Sequence, residues 1–186
     1  MLVRPMKPSV FAAIILVITL HCQGAAEATK PNIVAVDTNK LEYLPYDAGR
    51  MKFIASSEQT NGRYAVMELV EMPGYKTAWH RHPDADESFY VVEGTLTIKL
   101  VDKEYQFPAG SYILIPRNTP HGQGNFTSSP LKLICTFTPG GFDHFFRDRI
   151  ELDKTVKRGD PEFQKRFDEL RAKHRNHVEI LGEWSP

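Results

Sequence analysis

Long apolar runs are nearly missing from this chain. The most extended one, Val10–Leu20, falls short of the roughly 20 residues a helix needs to cross a bilayer comfortably. Excess charge is missing too: 23 Lys and Arg balance 23 Asp and Glu, so nothing draws the chain electrostatically to nucleic acid or to an anionic membrane. Cysteine is scarce, with Cys22 and Cys135 alone. No segment repeats and none is of low complexity, which argues against solenoids and against disorder. What remains is ordinary globular material, 41% hydrophobic and 25% charged over 186 residues, suited to one core.

The N-terminus reads as a secretory signal peptide over residues 1–26. Arg4 and Lys7 precede the apolar run, and the small residues Gly24, Ala25, Ala26 and Ala28 follow it. Cleavage is expected after Ala26, with Ala28 as the alternative, which makes the protein secreted, either extracellular or periplasmic. Cys22 then leaves with the signal. The mature domain keeps one thiol, forms no internal disulfide and is held by its core. Cys135, inside LKLICTF, reads as a small buried hydrophobe.

After an extended lead-in over residues 27–50, the pattern turns to short strands. They are expected at Tyr64–Met72, Ala78–His82, Glu87–Val92, Thr95–Val101, Ser111–Ile115 and Leu131–Thr138. Turn signals separate them, among them Pro73-Gly74, Glu93-Gly94 and Pro108-Ala109-Gly110. Such spacing predicts an all-β sandwich or barrel, placed at residues 27–150. Residues 151–186 form a helical C-terminal tail: Asp160 suits an N-cap, Pro161 the first helical position, and Phe163, Phe167 and Leu170 form an apolar stripe for the barrel. Glu162–Arg166 and Glu169–Lys173 are opposite charges four residues apart. A shorter helix is expected at Phe142–Asp148, and His144, His174 and His177 are expected at the surface.

His80 and His82 stand two apart in a strand-like stretch, so both imidazoles project from one face, with Trp79 and Arg81 on the other. Glu87 begins the next strand and reaches the same patch if the Pro83-Asp84 turn folds that strand back beside the first. His121 arrives after Pro116 and Pro120. Three imidazoles and one carboxylate make a ligand set for a divalent first-row metal. By the same alternation Phe89 and Val91 follow Glu87 inward, and Gln123 and Asn125 follow His121. Phe89, Gln123 and Asn125 are thereby candidate pocket residues. An inward Asn125 leaves the sequon Asn125-Phe126-Thr127 without a glycan.

The run Gly74, five residues, His80-x-His82, four residues, Glu87, six residues, Gly94 resembles the first motif of the cupins. Gly110, five residues, Pro116-x-Asn118, two residues, His121, three residues, Asn125 resembles the second, with Asn118 where the family usually has glycine. Asparagine tolerates the left-handed conformation such a turn needs. The resemblance, strongest to small single-domain quercetinase-like members, implies a double-stranded β-helix, or jelly-roll barrel. It implies one divalent metal on His80, His82, Glu87 and His121: iron, manganese or nickel first, with zinc, copper or cobalt as alternatives. It also implies a small-molecule substrate and a homodimer. Dioxygenase-like oxidoreductase chemistry is the expected activity, with Glu87 as base toward a substrate hydroxyl. A non-redox isomerase, cyclase or decarboxylase, or a non-catalytic germin-like or spherulin-like binding protein, stays open as an alternative.

Overall fold

The computed structural model describes residues 33–101 and 103–185. The expected signal peptide lies outside them. Among the described residues a short 3-10 helix (Thr38–Lys40) precedes eleven strands and two α-helices: β1 (Leu44–Tyr46), β2 (Gly49–Ala55), β3 (Ala65–Glu71), β4 (Trp79–Arg81), β5 (Asp86–Glu93), β6 (Thr95–Lys99), β7 (Glu104–Pro108), β8 (Tyr112–Ile115), β9 (Gly122–Gly124), β10 (Leu131–Thr138), α1 (Asp143–Thr155), α2 (Pro161–Lys173) and β11 (Glu179–Gly182).

One sheet has six strands in the order β1-β2-β3-β10-β5-β8, with neighbours antiparallel. The facing layer is assembled from the sheet β7-β6-β9 and the pair β11-β4. These two pieces are stitched by antiparallel bridges between Lys76 and Gly124 and between His80 and His121. The result is all-β, as the pattern of short strands predicts, and a jelly roll, as the resemblance implies.

Alternation decides which side chains go inside. Along β10, Leu131, Leu133, Cys135 and Phe137 are buried while the residues between them are half-buried or exposed. Its register sets Cys135 opposite both Met67 and Phe89, and Phe137 opposite both Ala65 and Glu87. Leu96 and Ile98 close the core from the other layer. Thus Glu87 points into an apolar interior because its strand carries Phe89 and Val91 on the same face.

The chain's tail is longer in helix and less uniform than expected. Helix α1 runs to Thr155 rather than Asp148, so the boundary at residue 150 falls within it. Its Phe145 and Phe146 join Phe137 and Phe142 in a ring cluster, with edge-to-face pairs at 4.9 Å for Phe137–Phe142 and Phe142–Phe146, the geometry that ring quadrupoles favour. Helix α2 is capped as anticipated: Asp160 accepts from the Glu162 amide at 2.8 Å, and Pro161 follows. Its apolar stripe meets α1, where the Arg149 guanidinium lies 4.5 Å from the centroid of the Phe167 ring. Lys173 binds Asp148 of α1 at 2.6 Å instead of Glu169, because α1 offers a fixed carboxylate and the exposed helix face does not. After α2 the chain is no longer helical. It returns as β11 to pair with β4, which no local period announced.

Candidate metal centre

His80, His82, Glu87 and His121 converge, with one ligand atom from each within 4.8 Å of all the others. All four are buried, His121 to 1% exposure and His82 to 2%. Half-buried Trp79 and Arg81 lie on the other face of β4, as alternation required.

The route by which they meet differs from the hairpin that the Pro83-Asp84 turn suggests. Strand β5 does not fold back beside β4. It sits in the six-stranded sheet between β10 and β8, and Glu87 reaches the histidines across the interior. The residue beside His80 is His121: each amide donates to the other's carbonyl, at 2.9 and 2.8 Å. Asn118 adopts φ +63°, the left-handed turn that asparagine tolerates, and its amide donates to the His82 carbonyl at 2.8 Å. The turn that delivers His121 is therefore pinned to the strand carrying the other two histidines.

The tautomers are set by backbone carbonyls. Nδ1 of His80 donates to Ala78 at 2.8 Å, that of His82 to His177 at 2.7 Å, and that of His121 to Thr119 at 2.9 Å. A carbonyl only accepts, so each Nδ1 carries hydrogen and each Nε2 of the neutral ring presents a lone pair. His82 Nε2 is buried and has no hydrogen-bond partner, although Glu87 Oε2 stands 3.4 Å away. His121 Nε2 lies 2.9 Å from the same oxygen. Two lone-pair atoms at that separation repel unless a proton or a cation lies between them. Neighbouring ligands on a first-row metal with bonds of about 2.1 Å are spaced about 3.0 Å apart. The donor set, its spacing and the orphaned nitrogen all fit one divalent transition metal.

Electrostatics agree. Burial, then the neighbouring His121 and His82, lowers His80 to about 3, keeping it a neutral donor. Burial works to raise Glu87, but His82 and His121 prevail and hold it well below the usual carboxylate range. Without a cation, burial would lower His121 and the Glu87 contact overrides it, raising the ring above its ordinary value. Glu87 Oε1 accepts from the thiol of Cys135 at 3.4 Å. Cys135 is thus a buried residue as expected, but one that touches the cluster.

A cavity of about 170 Å³ opens beside the cluster, lined among others by Glu71, Tyr75, His80, His82, Glu87, Gln123 and Cys135. Of the candidate pocket residues, Gln123 lines it. Phe89 is instead part of the core. Asn125 has its amide nitrogen on the carbonyls of Glu71 and Ser129 and its oxygen on Thr127, so its side chain braces a loop and is saturated. At 0% exposure it is also closed to a glycan.

Two histidines expected at the surface are not there. His174 is buried and bonds Asp148 at 2.7 Å. His177 is half-buried on Asp84 at 2.6 Å and supplies the carbonyl that holds His82. Neither has a local sequence signal, since both partners are distant in the chain.

Glu71 is a further buried carboxyl beside the centre, and for it the sequence holds a signal. It continues the inward series Ala65, Met67, Leu69 along β3. Burial pushes its carboxyl up to about 8, with Gln123 opposing and Glu87 reinforcing. Above pH 4.5 the unfolded chain has lost this proton while the folded chain keeps it until about pH 8. Stability therefore falls as pH rises through that window, by about 1.4 kcal/mol per unit. Glu71→Gln should flatten this slope relative to wild type in denaturant titrations at pH 5, 6, 7 and 8. Parallel curves would mean the carboxyl ionises freely in the folded protein.

Residues 67–137 match the family described as the cupin domain. Over 109 residues the chain is 31% identical to the uncharacterized protein MJ1618 of Methanocaldococcus jannaschii, covering 58% of this chain and 87% of that one. The chain belongs to the cupin family. This cupin is also 29% identical over 96 residues to quercetin 2,3-dioxygenase of Bacillus subtilis, covering 52% of its own length but only 28% of that protein's. Among solved structures it superposes on one described as a predicted oxalate decarboxylase from Thermotoga maritima, with TM-score 0.53 and 15% identity, covering 56% and 98% of the two chains. That likeness establishes the fold.

Proposed function

We propose that this cupin is a secreted, metal-dependent oxidoreductase of the dioxygenase type, acting on a small oxygenated organic substrate. The observation that carries the reading is the set of four converging donors whose histidine tautomers are fixed in advance. His80, His82, His121 and Glu87 would hold one iron, manganese or nickel ion, which would supply the redox chemistry. The partial likeness to quercetin 2,3-dioxygenase supports redox chemistry over isomerisation or decarboxylation. Secretion rests on the expected signal peptide over residues 1–26. Exposed Tyr90, Tyr112 and Leu114 on β5 and the sheet-edge strand β8 support a homodimer.

Glu87 is the base toward the substrate hydroxyl, and the Cys135 thiol donates to its Oε1 and steadies the carboxylate. A carboxylate is a weak base. It takes a proton only from a hydroxyl already acidified, an enol or phenol rather than an aliphatic alcohol. Phe142 beside His82, at 4.6 Å between centroids, helps to keep water from the ligands.

Elemental analysis of purified protein should find about one transition metal per chain, and a flavonol should drive dioxygen uptake. Glu87→Gln should retain metal and lose activity at least about 100-fold. Product formation under argon would overturn the redox reading, and protein that binds no metal would overturn it altogether.

A further inference from the structure

Two polar atoms in the cavity belong to no interaction described so far. Glu71 Oε2 and Gln123 Oε1 are both buried without a hydrogen-bond partner, and both residues line the cavity. Their other ends are joined, with Gln123 Nε2 donating to Glu71 Oε1 at 2.9 Å. An unsatisfied buried polar atom costs about 1–3 kcal/mol, so a pair of them held side by side through one hydrogen bond marks a place where something polar belongs.

Nor is the carboxyl there to pair with a cation. Lys76 is taken by the Trp184 carbonyl at 2.7 Å. Arg149 lies between Asp47 and Asp153, at 3.1 and 3.2 Å. Arg50 lies over the Tyr43 ring. Glu71 faces the cavity with a neutral amide as its partner.

The chemistry of a group that would satisfy both atoms follows from the hydrogen count. Oε1 of Glu71 already accepts from Gln123, and burial keeps the carboxyl protonated through neutral pH. Its proton then sits on Oε2, a donor in need of an acceptor. Gln123 Oε1 is an acceptor in need of a donor. A hydroxyl group does both at once.

We propose that Glu71 and Gln123 form a hydroxyl-binding subsite, separate from the metal ligands, that grips a phenolic hydroxyl at the far end of the substrate. Gln123 follows His121 by two residues, so the subsite begins about 7 Å along the strand from the metal-binding histidine. The substrate class is a two-ended aromatic molecule, with enolic or phenolic oxygens for the centre and a second hydroxyl at least that far away. Assigning the hydroxyl to the substrate rests on the functional reading above; the subsite itself rests on the two orphan atoms.

A phenol that cannot chelate tests the subsite alone. p-Cresol and 4-methylanisole have nearly the same shape, but only the first can donate. Calorimetric titration of the metal-loaded protein should show p-cresol bound about tenfold or more tightly. The preference should persist after metal removal by chelator, vanish in Glu71→Leu and survive in part in Glu71→Gln, which keeps a donor. Metal content and thermal unfolding in both variants report that fold and centre are intact. Equal binding of the two probes, which a bridging water alone would give, overturns the proposal. So does a p-cresol preference that disappears with the metal or is unchanged in Glu71→Leu. If the preference behaves as stated but flavonols neither bind nor turn over, the dioxygenase reading fails and the subsite stands.

Discussion

His121→Ala is expected to erase the share of thermal stability that a bound metal confers. A cation present at about 1,000 times its dissociation constant stabilises the folded chain by about 4 kcal/mol. For a domain of this size that is about 8–16 °C in midpoint. A chelator should lower the wild-type transition by that amount and the variant's by less than about 3 °C. The expectation rests on how much converges on this one side chain. Its ring is 1% exposed, it stands nearest to Glu87, and its backbone bridges His80. Alanine keeps the bridge and removes the donor. Glu87 would retain His82 as its nearest imidazole, and a three-donor remnant binds far more weakly. His174→Ala is the matching control. That residue is equally buried but bonds Asp148 on α1, so its loss should lower the midpoint and leave the chelator shift intact. Calorimetry of the three proteins with and without chelator decides the matter. An undiminished shift in His121→Ala would move the metal elsewhere.

Much of this centre was legible because its determinants are local. Spacing placed His80 and His82 on one face, strict alternation placed Glu87 with Phe89 and Val91, and the left-handed Asn118 fell where a turn was required. β3 and β10 carry their burial pattern in their composition. What stayed hidden is non-local. β9 is Gly-Gln-Gly, too short and too bland to show a period. β11 is exposed along its length, so no apolar alternation marks it. The pairing of β5 with β10 and β8 rather than with β4 is a property of the whole jelly roll, and a short turn such as Pro83–Ala85 suggests the simpler hairpin. Glu71 is the instructive case: its inward direction could be read from β3, but a carboxylate at a strand end ordinarily signals solvent. Only the packing of Gln123 against it shows otherwise.

The carbonyl of His177 gives the tail a part in the site, and two truncations bracket it, the shorter also removing Val178 from the core and the His177 contact with Asp84. A chain ending at Val178 and one ending at Arg175 both lose β11, which pairs Ile180 with His80. Both also lose Trp184, whose indole donates to the Thr77 carbonyl at 2.9 Å and lies against Gly122, where an added Cβ would meet it at 2.2 Å. Both should therefore be less stable by several kcal/mol, as a buried aromatic and a strand pairing imply. Only the shorter chain also loses the acceptor of the His82 Nδ1 hydrogen bond. Released from it, the ring turns and exchanges tautomers, and its Nε2 lone pair is no longer held toward Glu87 and His121. Loss of such an outer partner weakens metal binding about 10–100-fold, so this step in affinity should appear between the two truncations rather than between wild type and the longer one. Competition with a chromophoric chelator measures it directly. Equal affinities in the two truncated chains would show that the carbonyl merely accompanies His82, and that the four donors hold their geometry without help from the C-terminal strand.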